Sequence, residues 1–305
     1  MVGGVVEIAE PGRYLKADRG FLVVESTGET RSVLAKIDYD QFDALICSSS
    51  GFTISGPLLI ALSERNKALV VCGRNYTPKG LFLPFGDSTE SVRRISLQIQ
   101  ATMPFKKRMW QKLIKEKLSN QAKLINEIGN NKISSKIKIL SQRVFSGDSD
   151  NKEAQAARLY WPALFGKEFL RSDDENILNS FLNYGYAILR SAICRAIVGF
   201  GLLPMFGIHH SSLKNYFAMA DDILEPFRPI VDRLVYSMSK ENIKTLTPEY
   251  KKTLSALLIK DVQMNGQIMP LSNAIYWTVN SITKSYEQKK ELICLPILTG
   301  NEKNA

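Results

Sequence analysis

The chain has 305 residues, with 40 Lys or Arg against 30 Asp or Glu, a formal net charge of +10 and two histidines. Its 45% hydrophobic and 23% charged residues are ordinary for a globular protein, and the length suffices for two domains with real cores, so a disordered or fibrous chain is excluded. The four scattered cysteines (Cys47, Cys72, Cys194, Cys294), without CxxC spacing, exclude a disulfide framework and a structural zinc site.

No basic start followed by an apolar core marks a secretion signal. The longest apolar stretch, Tyr184 to Ile208, is interrupted by Arg190 and Arg195 and reads as a buried helix. A cytoplasmic protein without membrane association is expected.

Residues 1–86 read as β-rich. Gly20-Phe-Leu-Val-Val-Glu, Thr30-Arg-Ser-Val-Leu-Ala and Phe42-Asp-Ala-Leu-Ile-Cys are short β-branched and apolar runs between Gly, Asp, Ser and Thr turns. Pro57 to Glu64 is a short helix, Ala68 to Cys72 a buried strand, and Leu81-Phe-Leu a last strand. Residues 87–92 form the linker, where Asp87 and Glu90 have the spacing of a capping box.

From residue 93 to 295 the pattern turns helical. Ile95, Ile99 and Met103 share a helical face, and Pro104 then breaks or kinks the run. Trp110, Leu113, Ile114, Leu118, Leu124 and Ile128 continue an apolar stripe with lysines opposite. Ser146-Gly-Asp-Ser is a loop, and a helix begins near Asp150. Further helices are expected over 177–200, around Asp222 and Glu225, in short pieces to Lys260, and over 273–289. Residues 296–305 form a polar, frayed tail. The fold class is α+β, a β-rich domain followed by an all-helical one.

The charge is not evenly spread. Between Ser91 and Arg143 there are 13 Lys or Arg against Glu116 and Glu127, a local charge of +11, so the rest of the chain sums to about −1. A concentrated basic surface with few balancing acids is the electrostatic footprint of nucleic-acid binding, although solvated helices also carry lysine.

Both histidines lie in Gly207-Ile-His-His, shortly before Ala220-Asp-Asp-Ile-Leu-Glu-Pro-Phe-Arg-Pro. Asp222 and Glu225 stand three apart, which on a helix sets both carboxylates on one face. His210 precedes them by enough chain for a loop to return an imidazole over that face. Carboxylates with imidazole suit Mg²⁺ or Mn²⁺ better than structural zinc. The plainer alternative is that these acids complement a helix dipole and are merely solvated. Glu153 has its own plain alternative, because Asp150 and Glu153 fit a capping box.

Beyond these readings, four runs carry a resemblance. They are Glu153-Ala-Gln-Ala-Ala-Arg-Leu-Tyr-Trp-Pro-Ala-Leu-Phe-Gly, Leu182-Asn-Tyr-Gly-Tyr-Ala-Ile-Leu-Arg, Gly201-Leu-Leu-Pro-Met-Phe-Gly-Ile-His-His, and Asp222-Ile-Leu-Glu-Pro-Phe-Arg-Pro-Ile-Val-Asp232. In this order they resemble the spacer-acquisition integrases of CRISPR systems, the first of the numbered CRISPR-associated proteins. The Gly-Ile-His-His and Glu-Pro-Phe-Arg-Pro forms, with Lys117-Leu-Ser-Asn-Gln-Ala, are similar to the type II branch.

The resemblance implies an N-terminal β domain for homodimerisation and a helical catalytic domain. It places the Mg²⁺ or Mn²⁺ ligands and catalytic residues on Glu153, His210 and Glu225. Asp222 is an additional or supporting ligand, and counting back from Glu225 favours His210 over His209. It implies insertion of short DNA fragments into a repeat array by attack of a 3′-hydroxyl on a backbone phosphate, together with a small ferredoxin-like partner subunit. Arg93, Arg94, Lys106, Lys107, Arg108, Lys112 and Lys115 are the candidates for holding the fragment backbone. Tyr160, Trp161 and Asn183 are candidates for strand positioning or core, and Arg228 for pairing with a carboxylate or a phosphate. A metal nuclease without integration and a non-catalytic DNA-binding scaffold are the competing readings.

Overall fold

Short β-branched runs in the first part of the chain form two four-stranded sheets in the computed structural model. The structure describes residues 4–298 apart from 29, 50, 66, 74–77, 83–88, 213, 242 and 244. Two compact units divide the chain: the first runs to Ile95 and takes in Cys194–Leu202, and the second holds Ser96–Ile193 and Leu203 onward.

In the first unit, β1 (Gly4–Ile8), β5 (Phe42–Cys47) and β7 (Ala68–Cys72) are parallel neighbours, and β8 (Pro78–Phe82) pairs antiparallel with β7. The other sheet has the order β4 (Val33–Asp38), β3 (Phe21–Ser26), β2 (Arg13–Asp18) and β6 (Phe52–Ile54). Here β4, β3 and β2 form an antiparallel meander, and β6 lies parallel to β2.

Helix α1 (Gly56–Glu64) supplies the crossover from β5 to β7, as a parallel pair requires. Its N-cap Ser55 accepts from the Leu58 amide at 3.3 Å, and Pro57 occupies the first turn. Leu15, Leu22 and Val24 from one sheet, Leu45, Cys47 and Leu69 from the other, and Leu58 and Leu62 from α1 form one core.

In the second unit the organising element is α3 (Met103–Glu127). The helical run does break just before Pro104, which sits in the first turn of α3, where its missing N–H costs nothing. The preceding helix, α2 (Thr89–Ile99), ends before it and begins inside the segment expected to be linker. Asp87, the first residue of the expected capping box, lies outside the described residues.

Phe105, Met109, Trp110, Leu113, Ile114, Leu118, Ala122 and Ile125 recur along the buried face of α3. Helices α4 (Asn131–Gln142) and α5 (Lys152–Phe165) pack against it. So do α7 (Ala218–Leu224), the 3-10 turn Glu225–Phe227 and α8 (Arg228–Met238). Helices α6 (Ile177–Gly199), α9 (Pro248–Ser255) and α10 (Leu271–Gln288) complete the described helices.

Two features depart from the sequence reading. A hairpin of β9 (Asp261–Met264) and β10 (Gln267–Pro270) interrupts the helical unit at Asn265-Gly266, both with positive φ (51° and 77°). An Asn-Gly pair flanked by alternating apolar residues (Val262, Met264, Ile268) is the signal for such a turn, and the helical expectation passed over it. Pro296–Leu298, expected to fray, are tied down instead. Ile297 donates to the Gln263 carbonyl at 2.8 Å, and Leu298 donates to Asn120 Oδ1 at 2.9 Å. Residues 299–305 of the expected tail lie outside the described residues.

Gly185 of α6 shows how tightly α8 packs: a Cβ there would lie 2.4 Å from Val231 Cγ1. Gly185→Ala should therefore lower Tm by the equivalent of about 1–3 kcal/mol, although alanine favours an exposed helix by about 1 kcal/mol. A thermal melt reads the sign.

Candidate active site

The N-terminus of α5 frees its glutamate for other work. Asn151, in the left-handed region at φ 52°, is the N-cap and accepts from the Ala154 amide at 3.2 Å. The Asp148 carboxylate accepts from the Lys152 and Glu153 amides at 2.8 and 3.1 Å. Asp148 and Asn151 thus perform the capping that sequence spacing offered to Asp150 and Glu153. The Glu153 side chain turns instead to α3, where its Oε1 accepts from Lys117 Nζ at 2.5 Å.

The same ammonium donates to Glu225 Oε2, also at 2.5 Å. Glu225 belongs to the 3-10 turn that follows α7, and its amide bonds to the Asp222 carbonyl three residues back. Pro226, which has no N–H to donate, is part of that turn. Asp222 and Glu225 nevertheless take different partners, the histidine loop for Asp222 and Lys117 with Arg228 for Glu225.

Glu225 Oε1 accepts from Arg228 Nε at 2.9 Å, and the Arg228 guanidinium lies 4.4 Å above the Tyr186 ring. Burial alone would raise the Glu225 carboxyl, but Lys117 and Arg228 hold it down at about 2. Burial also works against the Lys117 ammonium, yet Glu225 and Glu153 raise its pKa above the usual value. Removing one partner of such a buried pair costs about 3–5 kcal/mol, because the other charge is left uncompensated.

Asp222 is fully buried and serves the histidine loop. Its Oδ2 accepts from the Ile208 and His209 amides at 2.7 and 2.8 Å, and the His210 amide reaches both oxygens at 3.3 Å. Its Oδ1 meets His210 Nδ1. This carboxylate is thereby occupied as the anchor of the loop. Gly207 is required at the loop's entry, since a Cβ would lie 2.1 Å from the His210 carbonyl oxygen and 3.0 Å from Asp222 Oδ2.

The structure also separates the two histidines. His209 stacks on Trp110, with centroids 4.3 Å apart and planes 5° from parallel. The ring of His210 is held at Nδ1 by Asp222, leaving Nε2 as the nitrogen for another ligand. The hydrogen bond to Asp222 raises the His210 pKa, burial opposes it, and Asp222, Glu225 and Asp221 add to the rise through their charge.

A hard divalent ion is suited by two carboxylates and an imidazole, and the converging oxygens of Glu153 and Glu225 already hold one cation, Lys117. Among the described residues, no three His, Cys, Asp or Glu side chains form a preformed metal cage. The donor types and charge fit such an ion, with the ammonium standing in for it.

The residues proposed for DNA fall into two groups. Arg93 and Arg94 pair with Glu90 at 3.3 and 3.5 Å, and Arg94 also donates to the Phe200 carbonyl at 3.3 Å, so Arg94 has a structural role. On α3, Lys106 reaches the Gly207 carbonyl at 3.4 Å, while Lys107 and Arg108 are exposed. Lys112 and Lys115 are half-buried, and Lys112 bears electrostatically on Glu116.

Tyr160 is core: its hydroxyl donates to Asp232 at 2.7 Å, beside Tyr186. Trp161 packs with Phe165 and Phe169, and Asn183 accepts from Arg171 at 2.6 Å. Lys117 was missed by the sequence reading as a site residue. Its only signal was its place in Lys117-Leu-Ser-Asn-Gln-Ala, since it is 36 and 108 residues from its two carboxylates.

Because the folded His210 pKa is raised, the His210–Asp222 pair stabilises the loop fully below the unfolded imidazole pKa, and this is lost as pH rises through the folded value. An NMR titration should place the His210 midpoint above the ordinary 6.5 in the wild type, and Asp222→Asn should bring it down. A wild-type midpoint at or below 6.5 would contradict the pairing.

The sequence pattern of the family described as CRISPR associated protein Cas1 matches residues 6–266. The CRISPR-associated endonuclease Cas1 of Neisseria meningitidis serogroup C (strain 8013) is 34% identical over 284 residues, which cover 92% of each chain. In fold, the chain is similar to a partial Cas6-RT-Cas1–Cas2 complex, with TM-score 0.71 and 18% identity over 99% of this chain and 100% of that one. A casposase bound to integration product has TM-score 0.67 and 20% identity over 99% of this chain and 94% of its own. The alignment spans both sheets, the histidine loop and both glutamates, and the chain belongs to the Cas1 family of CRISPR-associated proteins.

Proposed function

We propose that this chain is a metal-dependent DNA integrase and endonuclease of CRISPR adaptation, with Glu153, His210 and Glu225 as its Mg²⁺ or Mn²⁺ ligands. The observation that carries the reading is the meeting of Glu153 and Glu225, from α5 and the turn after α7, on a single cation, with Glu225 in electrostatic reach of a histidine whose ring is fixed by Asp222. The Neisseria relative is named an endonuclease, and one fold relative is named with its integration product. Type II membership rests on the Gly-Ile-His-His and Glu-Pro-Phe-Arg-Pro motifs.

A divalent ion bound there supplies Lewis acidity at the phosphate and a favourable setting for an attacking oxygen. The chain's own residues prepare the site. Asp222 holds His210 through Nδ1, so that Nε2 is presented without ring rotation. Arg228 fixes one oxygen of Glu225, itself steadied over Tyr186. In the strand-transfer reaction, a fragment's 3′-oxygen forms a bond to phosphorus and the recipient strand leaves as a 3′-hydroxyl. No covalent link to the protein is involved.

Lys107 and Arg108, exposed on α3, are read as fragment-backbone contacts, with Lys106, Lys112 and Lys115 supporting them. The N-terminal β unit is read as the homodimer surface and the helical unit as catalytic. The presence of Cas2 in the complex named for the fold relative supports a partner subunit, and its small size and ferredoxin-like fold rest on the motif resemblance alone. No described helix is long and apolar enough to cross a membrane.

A labelled duplex with free 3′-hydroxyls, a repeat-bearing supercoiled plasmid, the small partner and Mn²⁺ test the reading. Wild type should move label into the plasmid, while Glu153→Gln and Glu225→Gln should lose transfer by at least 100-fold with DNA affinity retained. Transfer surviving in both variants would place the site elsewhere, and metal-dependent cutting without transfer would favour the nuclease. In parallel, Lys107→Ala with Arg108→Ala should reduce the slope of log affinity against log salt by about 2. An unchanged slope would remove them from the DNA surface.

A further inference from the structure

We propose that Lys117 is an exchangeable cation of this site: it holds Glu153 and Glu225 together until a divalent ion takes its place, and its released ammonium then binds the phosphate. The inference rests on the metal-dependent reading above and adds a phosphate-binding residue to it.

The case begins with the occupancy of Glu225. One carboxylate oxygen accepts from Lys117 Nζ at 2.5 Å and the other from Arg228 Nε at 2.9 Å. Each oxygen keeps a lone pair beyond these bonds, but an ion entering between Glu225 and Glu153 meets the Lys117 ammonium there, and two cations so close repel. Arg228 is the harder to move. It is three residues from Glu225 along the chain, its planar guanidinium lies 4.4 Å over Tyr186, and the Tyr186 hydroxyl is fixed on buried Asp232. Lys117 presents a point charge on a flexible four-carbon stem, with no ring stacked on it among the described contacts.

Glu153 favours the same outcome, because Lys117 is its cation as well. Withdrawal of one side chain opens the inner oxygens of both carboxylates together.

Charge determines where the ammonium goes next. Glu153, Glu225, Lys117 and Arg228 sum to zero as two anions and two cations. Addition of a divalent ion leaves the same set at +2. Among the described residues Lys117 pairs with no acid other than these two. The anion that restores balance is a phosphodiester, which gathers further negative charge as it is attacked. Metal loading thereby adds two positive charges among these four groups and favours an anion there, and Lys117 is the cation set free beside it.

The wild-type chain tests this directly. Reductive methylation, read at Lys117 by peptide mass spectrometry, is compared in EDTA, in Mn²⁺, and in Mn²⁺ with a short DNA duplex. Labelling of Lys117 should rise several-fold with Mn²⁺ and fall back when DNA is added, with no rise in Glu225→Gln. Absence of a rise in wild type overturns the exchange, and a rise that DNA leaves untouched overturns the phosphate role.

A Mn²⁺ titration by electron paramagnetic resonance separates this inference from the reading beneath it. Glu225→Gln should weaken Mn²⁺ binding and Lys117→Gln should tighten it, each at least tenfold. Unaltered binding in Glu225→Gln would sink the metal site as a whole. Weakened binding in Glu225→Gln without tightening in Lys117→Gln would sink the exchange alone. Should Lys117→Gln fail to fold, the methylation comparison still decides.

Discussion

Two carboxylates brought together away from water need a cation between them, and much of the helical unit is arranged around that requirement. Glu225 is almost fully buried and Glu153 partly so, and their mutual repulsion would be severe without Lys117. Helix α3 supplies the ammonium from the middle of its length, and the apolar residues on its buried face hold the helix in place. Neighbouring α3 residues reinforce the geometry. Asn120, one turn beyond Lys117, donates to the Pro226 and Pro296 carbonyls at 3.1 and 3.0 Å, fixing the backbone beside Glu225. The site is thus built on a long helix and steadied by polar side chains whose hydrogen bonds are satisfied.

A second buried carboxylate organises the imidazoles. The three successive amides of Ile208, His209 and His210 bond to Asp222 as to an anion in a backbone nest. This fixes the loop without regular secondary structure and sets the His210 ring by its Nδ1. His209 is withdrawn onto Trp110. The Gly-Ile-His-His run is thereby divided into one residue stacked on Trp110 and one whose ring is held by Asp222. Asp222 is the anchor of this loop.

A third buried group, Asp232, is tied to both neighbours by hydroxyls. Burial pushes its carboxyl up to about 6, against the hydrogen bonds from Tyr186 and Tyr160. Through Tyr186 it steadies Arg228, and through Arg228 it reaches Glu225. Aromatic residues that sequence alone left between strand positioning and core are in this way connected to the site without facing it.

Much of this was legible from the chain, where the physics is local. Apolar periodicity marked α3, α6 and α10, β-branched runs marked β3, β5 and β7, and the charge imbalance marked the basic helical region. Residue pattern singled out the histidine loop and Glu225, and motif resemblance added Glu153. Whether Glu153 capped its own helix depended on whether Asp148 and Asn151 would do so first, and one-dimensional spacing does not rank such competitors. Pro104 could equally have ended a helix or begun one. The assignments of Asp222 as anchor, His209 as packing partner and Lys117 as shared cation arose from contacts 12 to 108 residues apart in sequence. Sequence by itself determined which chemical groups the chain possesses and which helices carry them. Only the tertiary structure decided which groups meet, because a buried charge takes the partner that packing delivers to it.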